Sequence, residues 1–376
     1  MRGQWTFGSR RGWRWGLVLL ALLLVLPGPT PSAATAAGSG TVGRAAAGGV
    51  DAGPAAVGPA EQGLTPVRVA MQYIISDAGL LIADDFGYMR EAGIDFQPER
   101  VENVELQSAI AQGHIDVGGI GVTAAVLNAY LRGVRLRIVA DRATITPGHG
   151  YLALLVRKDL VDSGQVRSVA DLRGRKIANQ PPMYGTTSWA LLDKLLQMNG
   201  LADSDVDQVA LGFADQNAAL AGGTIDAASQ TEPAVTAAVA NGLAVRFVGF
   251  DEVITPFTLG GMAYSEPFTA QTDLARRFMV AYLRGVRAYL DAFDKNQGRA
   301  RVVDVLVRHT ALKDPALYDR IALPWINPDG PFGLNGYQEV QEYFVRHGLL
   351  PQTIDLTQLV DNSFAQWAAA QLGPYQ

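Results

Sequence analysis

Gly185-Thr186-Thr187-Ser188 sets three hydroxyls after a glycine, where the pattern from Thr187 to Asn199 predicts a helix start. Hydroxyls and free backbone N–H groups at such a start suit an anion, a sulfonate or a carboxylate. The same residues would serve equally as a plain N-cap. Arg142, after the strand-like run Leu136–Ala140, is either a partner for an anion or a solvated charge at a strand end. Tyr73, Tyr184 and Trp189 can supply an aromatic face for a flat ligand, although Trp189 falls inside the helix and suits a core better. Glu232 can hold an amine or ring N–H, or it can stabilise the helix that Pro233 opens.

No catalytic set emerges. The four histidines, His114, His149, His309 and His347, lack metal-binding spacing. The sequence has no GxSxG elbow and no Walker loop, and Gly118-Gly-Ile-Gly121 is not GxGxxG. The absence of cysteine removes disulfides, thiolate metal sites and a thiol nucleophile. A net charge of −5 gives no basic excess for nucleic acid. A non-enzymatic chain without cofactor or metal is expected.

The elements that would position these residues alternate strand and helix. Val67–Met71, the extended Ile94–Val101, Ile115–Val117 and Leu136–Ala140 read as strands, with helices over Gly79–Gly93, Asn103–Gly113 (Asn103 its N-cap) and Val122–Arg132. After Gly150 the pattern restarts, with strands at Tyr151–Val156, Lys176–Asn179, Val206–Leu211, Ile225–Ser229 and Ala244–Phe250. Between them fall helices at Thr187–Asn199, Asp215–Ala221 and Pro233–Asn241. Beyond Pro256 the chain reads as mainly helical, apart from a loop-rich Pro324–Gly336. Two segments echo each other about 110 residues apart: AIAQGHIDV at Ala109–Val117 with ALAGGTIDA at Ala219–Ala227, and GVRLRIV at Gly133 with GLAVRFV at Gly242. One α/β unit is used twice, and Asp116 and Asp226 hold a turn or hydrogen-bonding role in it.

In such sheets ligands sit beyond the carboxyl ends of the strands. That selects Gln72, Tyr73 and Ser76 after the first strand, and Gly119, Gly121 and Thr123 after the third. It also selects Arg142, the loop Tyr184–Ser188, and Gln230 and Glu232 in the position equivalent to Gly119–Gly121.

The segments QSAIAQGHIDVGGIG, VRLRIVADR, LLVRKD, SVADLRGRKIAN, the GTTS helix start and ALAGGTIDAASQTEP resemble the substrate-binding proteins of ABC importers. The resemblance is to the group for sulfonates, taurine, nitrate and the thiamine pyrimidine, and runs in order from about Val67 to Phe250. It implies an α/β, two-lobed type II periplasmic binding protein fold, each lobe a mostly parallel sheet flanked by helices, with two crossover strands. Lobe one would be 66–150 and 251–376, and lobe two 151–250. It also implies a monomer that closes on a small solute, sulfonate- or taurine-like, and docks on an ABC permease with its ATPase. A pyrimidine or aromatic acid is the alternative ligand. Pyrimidine synthases share the fold, but resemblance to them implies a cysteine-rich motif that this chain lacks.

Arg2, Arg10, Arg11 and Arg14, the apolar run Gly16–Leu26 and the small residues ending Ala34-Thr35-Ala36 read as a signal peptide over 1–36. The run is too short to span a bilayer. Ser9-Arg10-Arg11 also fits a twin-arginine signal, so the route is Sec or twin-arginine. Removing 1–36 takes the net charge from −5 to −9. Residues 37–65, rich in Gly, Ala and Pro, read as a flexible leader. A periplasmic or extracellular location follows.

Overall fold

The computed structural model describes residues 63–376 of the chain apart from residue 102, with the side chains of residues 103 and 104 also set aside. The expected signal peptide, nearly all of the expected leader and the expected capping side chain of Asn103 lie outside the described residues.

The described strands are β1 (Thr65–Met71), β2 (Ile94–Arg100), β3 (Val117–Ile120), β4 (Leu136–Ile145), β5 (Leu152–Arg157), β6 (Lys176–Asn179), β7 (Asp207–Ala210), β8 (Ala227–Thr231), β9 (Ala244–Gly249) and β10 (Phe257–Ser265). They form two five-stranded sheets, ordered β2-β1-β3-β10-β4 and β7-β6-β8-β5-β9. The orders are the same once β1–β4 are matched to β6–β9 and β10 to β5. In each, the inserted strand (β10 or β5) is antiparallel to its neighbours, and β1 or β6 is parallel to both of its own. Both β4 and β5 are buried along almost their whole length; β5 is correspondingly apolar (LALLV), whereas β4 buries Asp141, Arg142 and Thr144 among its apolar residues.

Lobe one carries α1 (Ala78–Asp85), α2 (Tyr88–Glu91), α3 (Asn103–Ala111) and α4 (Ala124–Leu131). Lobe two carries α5 (Lys158–Asp162), α6 (Thr187–Met198), α7 (Phe213–Ala221) and α8 (Ala234–Ala240). The remainder adds α9 (Glu266–Ala270), α10 (Thr272–Asp294), α11 (Arg299–His309), α12 (Tyr337–Arg346) and α13 (Ser363–Leu372). Buried residues of α10, α11 and α13 share one apolar cluster with β1 and α1.

The sequence echo has a structural cause. After α3 and α7 the chain turns through Gly113 (φ 68°) and Gly223 (φ 69°), a left-handed conformation that glycine adopts without a side-chain clash. Three residues later, Asp116 Oδ2 accepts the Arg68 N–H at 2.9 Å and Asp226 Oδ2 accepts the Lys176 N–H at 3.0 Å. Each aspartate ties its turn to a neighbouring parallel strand, Asp116 to β1 and Asp226 to β6, the hydrogen-bonding role expected of the pair.

Several boundaries differ from expectation. The third strand is Val117–Ile120, so Gly118 and Gly119 lie inside it. The fourth runs on to Ile145 and takes in Asp141 and Arg142. The stretch after Pro256 opens with β10, whose Gly260 and Gly261 hide the strand pattern. The helix expected over Gly79–Gly93 is broken by Gly87, φ 81°. The loop-rich segment is anchored on the crossover regions. Thr144 and Trp325 exchange backbone hydrogen bonds at 2.7 and 3.2 Å, and the Asn335 amide donates to Pro256 O at 2.7 Å. Among the described residues, no helix is long and apolar enough to cross a membrane.

Candidate ligand site between the lobes

A cavity of about 260 Å³ lies between the two sheets. That is slightly under the roughly 300–1,000 Å³ typical of drug-sized sites, so it fits a compact solute. Lobe one lines it with Gln72, Ile74 and Ser76 from the β1–α1 connection, Gly119, Gly121 and Thr123 from β3 and the turn into α4, and Arg142 from β4. Lobe two lines it with Gln180, Pro182, Thr186, Thr187, Ser188, Phe213 and Thr231. Tyr151 and Leu259 close it near the crossovers, and Leu106 and Gln107 of α3 reach its wall. Among the described lining residues Arg142 alone is charged. The starts of α4, α6 and α7, and the turn leading into α1, all open on this space. Their positive dipole ends favour negative charge there.

Arg142 owes its position to a bulge. Gly261 pairs with Asp141 and Gly260 with Ala143, which leaves Arg142 without a partner residue on β10. An extra residue of this kind re-aims its side chain. Arg142 is 5% exposed; its guanidinium lies against Gly119, and its Nη1 donates to Asp77 Oδ1. A Cβ added at Gly119 would meet Arg142 Cζ at 2.1 Å, so a larger residue there must displace the buried, ion-paired guanidinium. Asp77 is fully buried, and its other oxygen accepts the N–H groups of Gln72 (3.0 Å) and Ile74 (3.3 Å). It therefore shapes the cavity-lining loop as well as holding the arginine. Arg142 Nε is buried with no hydrogen-bond partner. Ser76, beside this pair, is 5% exposed.

The next residue, Asp141, turns the other way. Its Oδ2 accepts the Asn327 N–H at 2.7 Å and the Thr144 hydroxyl at 3.0 Å, while Oδ1 has no partner. Burial pushes its carboxyl up to about 7, against the lowering effect of those hydrogen bonds.

The hydroxyls at the start of α6 are already engaged. Ser188 donates to Asn179 Oδ1 at 2.8 Å and shares a hydrogen bond with Thr186 at 2.9 Å. Thr187 donates across the cleft to Val122 O at 3.0 Å. Gly185 does not line the cavity; its carbonyl accepts the Ala124 N–H at 3.0 Å, also between lobes. What this helix start offers a ligand is its dipole and first-turn N–H groups more than its hydroxyls.

Of the residues expected at the site, Gln72, Ser76, Gly119, Gly121, Thr123, Arg142, Thr186, Thr187 and Ser188 are brought together. Tyr73, Tyr184, Gly185, Gln230 and Glu232 are not. Tyr73, in left-handed backbone (φ 57°), packs against the lobe-one core and lies under Arg100 at 5.3 Å. Tyr184 (φ 58°) stacks on His347 at 4.5 Å, and Trp189 is core. Those three therefore form no aromatic face on the cavity. Gln230 and Glu232 fail for a reason of register. Val117 corresponds to Ala227, so Gly121 corresponds to Thr231. A shift of one residue along a strand sends side chains to the opposite face. Thr231 faces the cavity, whereas the Gln230 amide donates to Phe213 O at 3.0 Å. Glu232 accepts the Thr236 N–H and hydroxyl at 2.9 and 3.0 Å and the Ala322 N–H at 3.4 Å. Burial raises its carboxyl, opposed by the Thr236 bonds.

Sequence reasoning missed Gln107, Tyr151, Gln180, Phe213, Thr231 and the supporting Asp77. The 110-residue offset was itself the signal for Thr231, since it pairs that residue with Gly121.

Two similar α/β lobes, an inserted antiparallel strand in each and a solute-sized cavity between them define a two-lobed type II periplasmic binding protein fold. The chain belongs to the NMT1/THI5-like family, whose model matches residues 75–294. It is 27% identical over 222 residues to an aliphatic sulfonates-binding protein of Escherichia coli (strain K12), covering 57% of this chain. The match spans 63% of that relative, less than two thirds of its length. The alkanesulfonate-binding protein SsuA from Xanthomonas axonopodis pv. citri, solved bound to MOPS, superposes with a TM-score of 0.62 at 23% identity, covering 80% of this chain and 99% of that one. The periplasmic nitrate-binding protein NrtA from Synechocystis PCC 6803 gives 0.65 at 12% identity, covering 82% and 89%. At these identities the two structures speak for the fold alone. The relatives reported are binding proteins.

Proposed function

We propose that this chain is the exported solute receptor of an ABC importer, capturing a small organic anion between its lobes and passing it to a permease with its ATPase. One observation carries the ligand class. The interlobe cavity is lined by several helix starts and by no carboxylate among the described residues, and the arginine on its wall is held by Asp77. Ile74, Leu106, Phe213 and Leu259 supply an apolar wall, which favours an anion with a short hydrocarbon body, a sulfonate first. The taurine-like zwitterion loses its support, because Glu232 lies off the cavity and is engaged with Thr236. The names of the relatives support a sulfonate.

The division into lobe one (66–150 and 251–376) and lobe two (151–250), the 1–36 signal peptide, a periplasmic or extracellular location and a monomeric, non-catalytic chain belong to the same proposal. A thermal-shift screen of the chain from Ala37 onward tests it, against sulfonates, nitrate, carboxylates, pyrimidines and amines. A ligand at 100 times its Kd adds roughly 2.7 kcal/mol. A sulfonate or carboxylate is expected to shift the transition, and amines are not. A shift by pyrimidines alone would replace the anion with a ring ligand.

A further inference from the structure

We infer that Asp77 and Arg142 act as one neutral unit whose role is to set the charge of the ligand site, so that the cavity selects monoanions over dianions. The inference rests on the anion reading above and deepens it. Arg142 is the charged residue on the cavity wall, but its Nη1 is given to a carboxylate that is itself fully buried directly behind it. Asp141 turns to the other face of β4, toward Thr144 and Asn327. The pair thus brings no net charge to the cavity, and the attraction left for an anion comes from helix starts, each equivalent to about half a charge. The starts of α4, α6 and α7 together supply about one and a half charges, which covers the single charge of a sulfonate and falls short of the two of sulfate. Gly119 keeps the guanidinium against the backbone, with its Nε unbonded.

The geometry makes charge and contact separable. R142Q leaves Asp77 uncompensated beside the cavity, and the double variant D77N/R142Q restores neutrality without restoring the arginine. Titration calorimetry with 1-butanesulfonate is expected to show R142Q weakened about fiftyfold, the scale of one charge roughly 7 Å away at an effective dielectric near 20. The double variant is expected to return to within about tenfold of the unmodified chain. A double variant as weak as R142Q would overturn the inference and make Arg142 a direct ligand contact. A measurement that needs no variant compares methanesulfonate with sulfate, alike in shape and different in charge. Sulfate binding as tightly as methanesulfonate overturns the inference while leaving the anion reading intact. A folded, unmodified chain that binds none of these anions, nor nitrate or acetate, overturns both.

Discussion

The Thr187 hydroxyl donates to Val122 O at 3.0 Å, joining the first turn of α6 in lobe two to the turn between β3 and α4 in lobe one. With the Gly185–Ala124 backbone bond beside it, this is a direct polar seam across the cleft. The bond can exist only while the lobes are together, so it contributes to the closed state and not to the fold of either lobe. Thr187→Val keeps the shape and removes the donor. A neutral hydrogen bond contributes about 0.5–1.5 kcal/mol, so ligand dissociation should quicken by roughly two- to tenfold. Stopped-flow release of bound ligand is the measurement. The melting temperature without ligand should stay nearly unchanged, and Thr187→Ser should behave like the parent.

Gly119→Ala addresses the packing under Arg142. The added Cβ falls 2.1 Å from Cζ of a guanidinium that is buried and ion-paired, so neither group moves freely. Overpacking of this kind costs about 1–3 kcal/mol. Urea unfolding should show a lowered midpoint with an unchanged slope, and calorimetry a weakened ligand. A stability equal to the parent would mean that Arg142 moves aside at no cost.

Asp141 gives the molecule a signature against pH. Its carboxyl titrates near 7 in the fold, against 3.8 for a free aspartate. Between those values the folded chain holds a proton that the unfolded chain has released, so this residue makes stability fall as pH rises from about 4 to 7. Above 7 its contribution is flat. By linkage the loss is at most about 4 kcal/mol. Asp141→Asn should remove this residue's contribution to the slope over that window. Unfolding free energies across pH 4 to 8, parent against variant, decide it. Parallel curves would mean that Asp141 titrates in its ordinary range.

The alternation of strands and helices, the repeat and the strand-end loops were legible because they rest on local rules of period and turn chemistry. Asp116 and Asp226 announced their role by recurring at one offset. What stayed hidden depended on contacts between distant segments. Arg142 looked like a residue beyond a strand end, because nothing local in LRIVADRATI reveals a bulge opposite Gly260 and Gly261. β10 was unreadable as a strand, since its place is set by the sheet edges it joins. Thr187 and Ser188 line the cavity, yet their partners Val122 and Asn179 lie 65 and 9 residues away. Glu232 drew attention by its charge, which outweighed a one-residue offset that the repeat had already fixed.

That offset yields the sharpest contrast between neighbours. Thr231 lines the cavity, and Glu232 turns its carboxylate to Thr236 and Ala322. If strand alternation governs the site, Thr231→Val should weaken an anionic ligand by about three- to tenfold, the loss of one hydroxyl hydrogen bond. Glu232→Gln should change affinity by less than about twofold, since an amide oxygen can still accept from Thr236 and no carboxylate charge faces the ligand. Its effect should fall on stability, because a buried carboxyl raised by desolvation is replaced by a neutral group. Calorimetry and thermal unfolding of both variants separate the two. A large loss of affinity in Glu232→Gln with Thr231→Val unaffected would put the glutamate at the ligand and favour a taurine-like zwitterion.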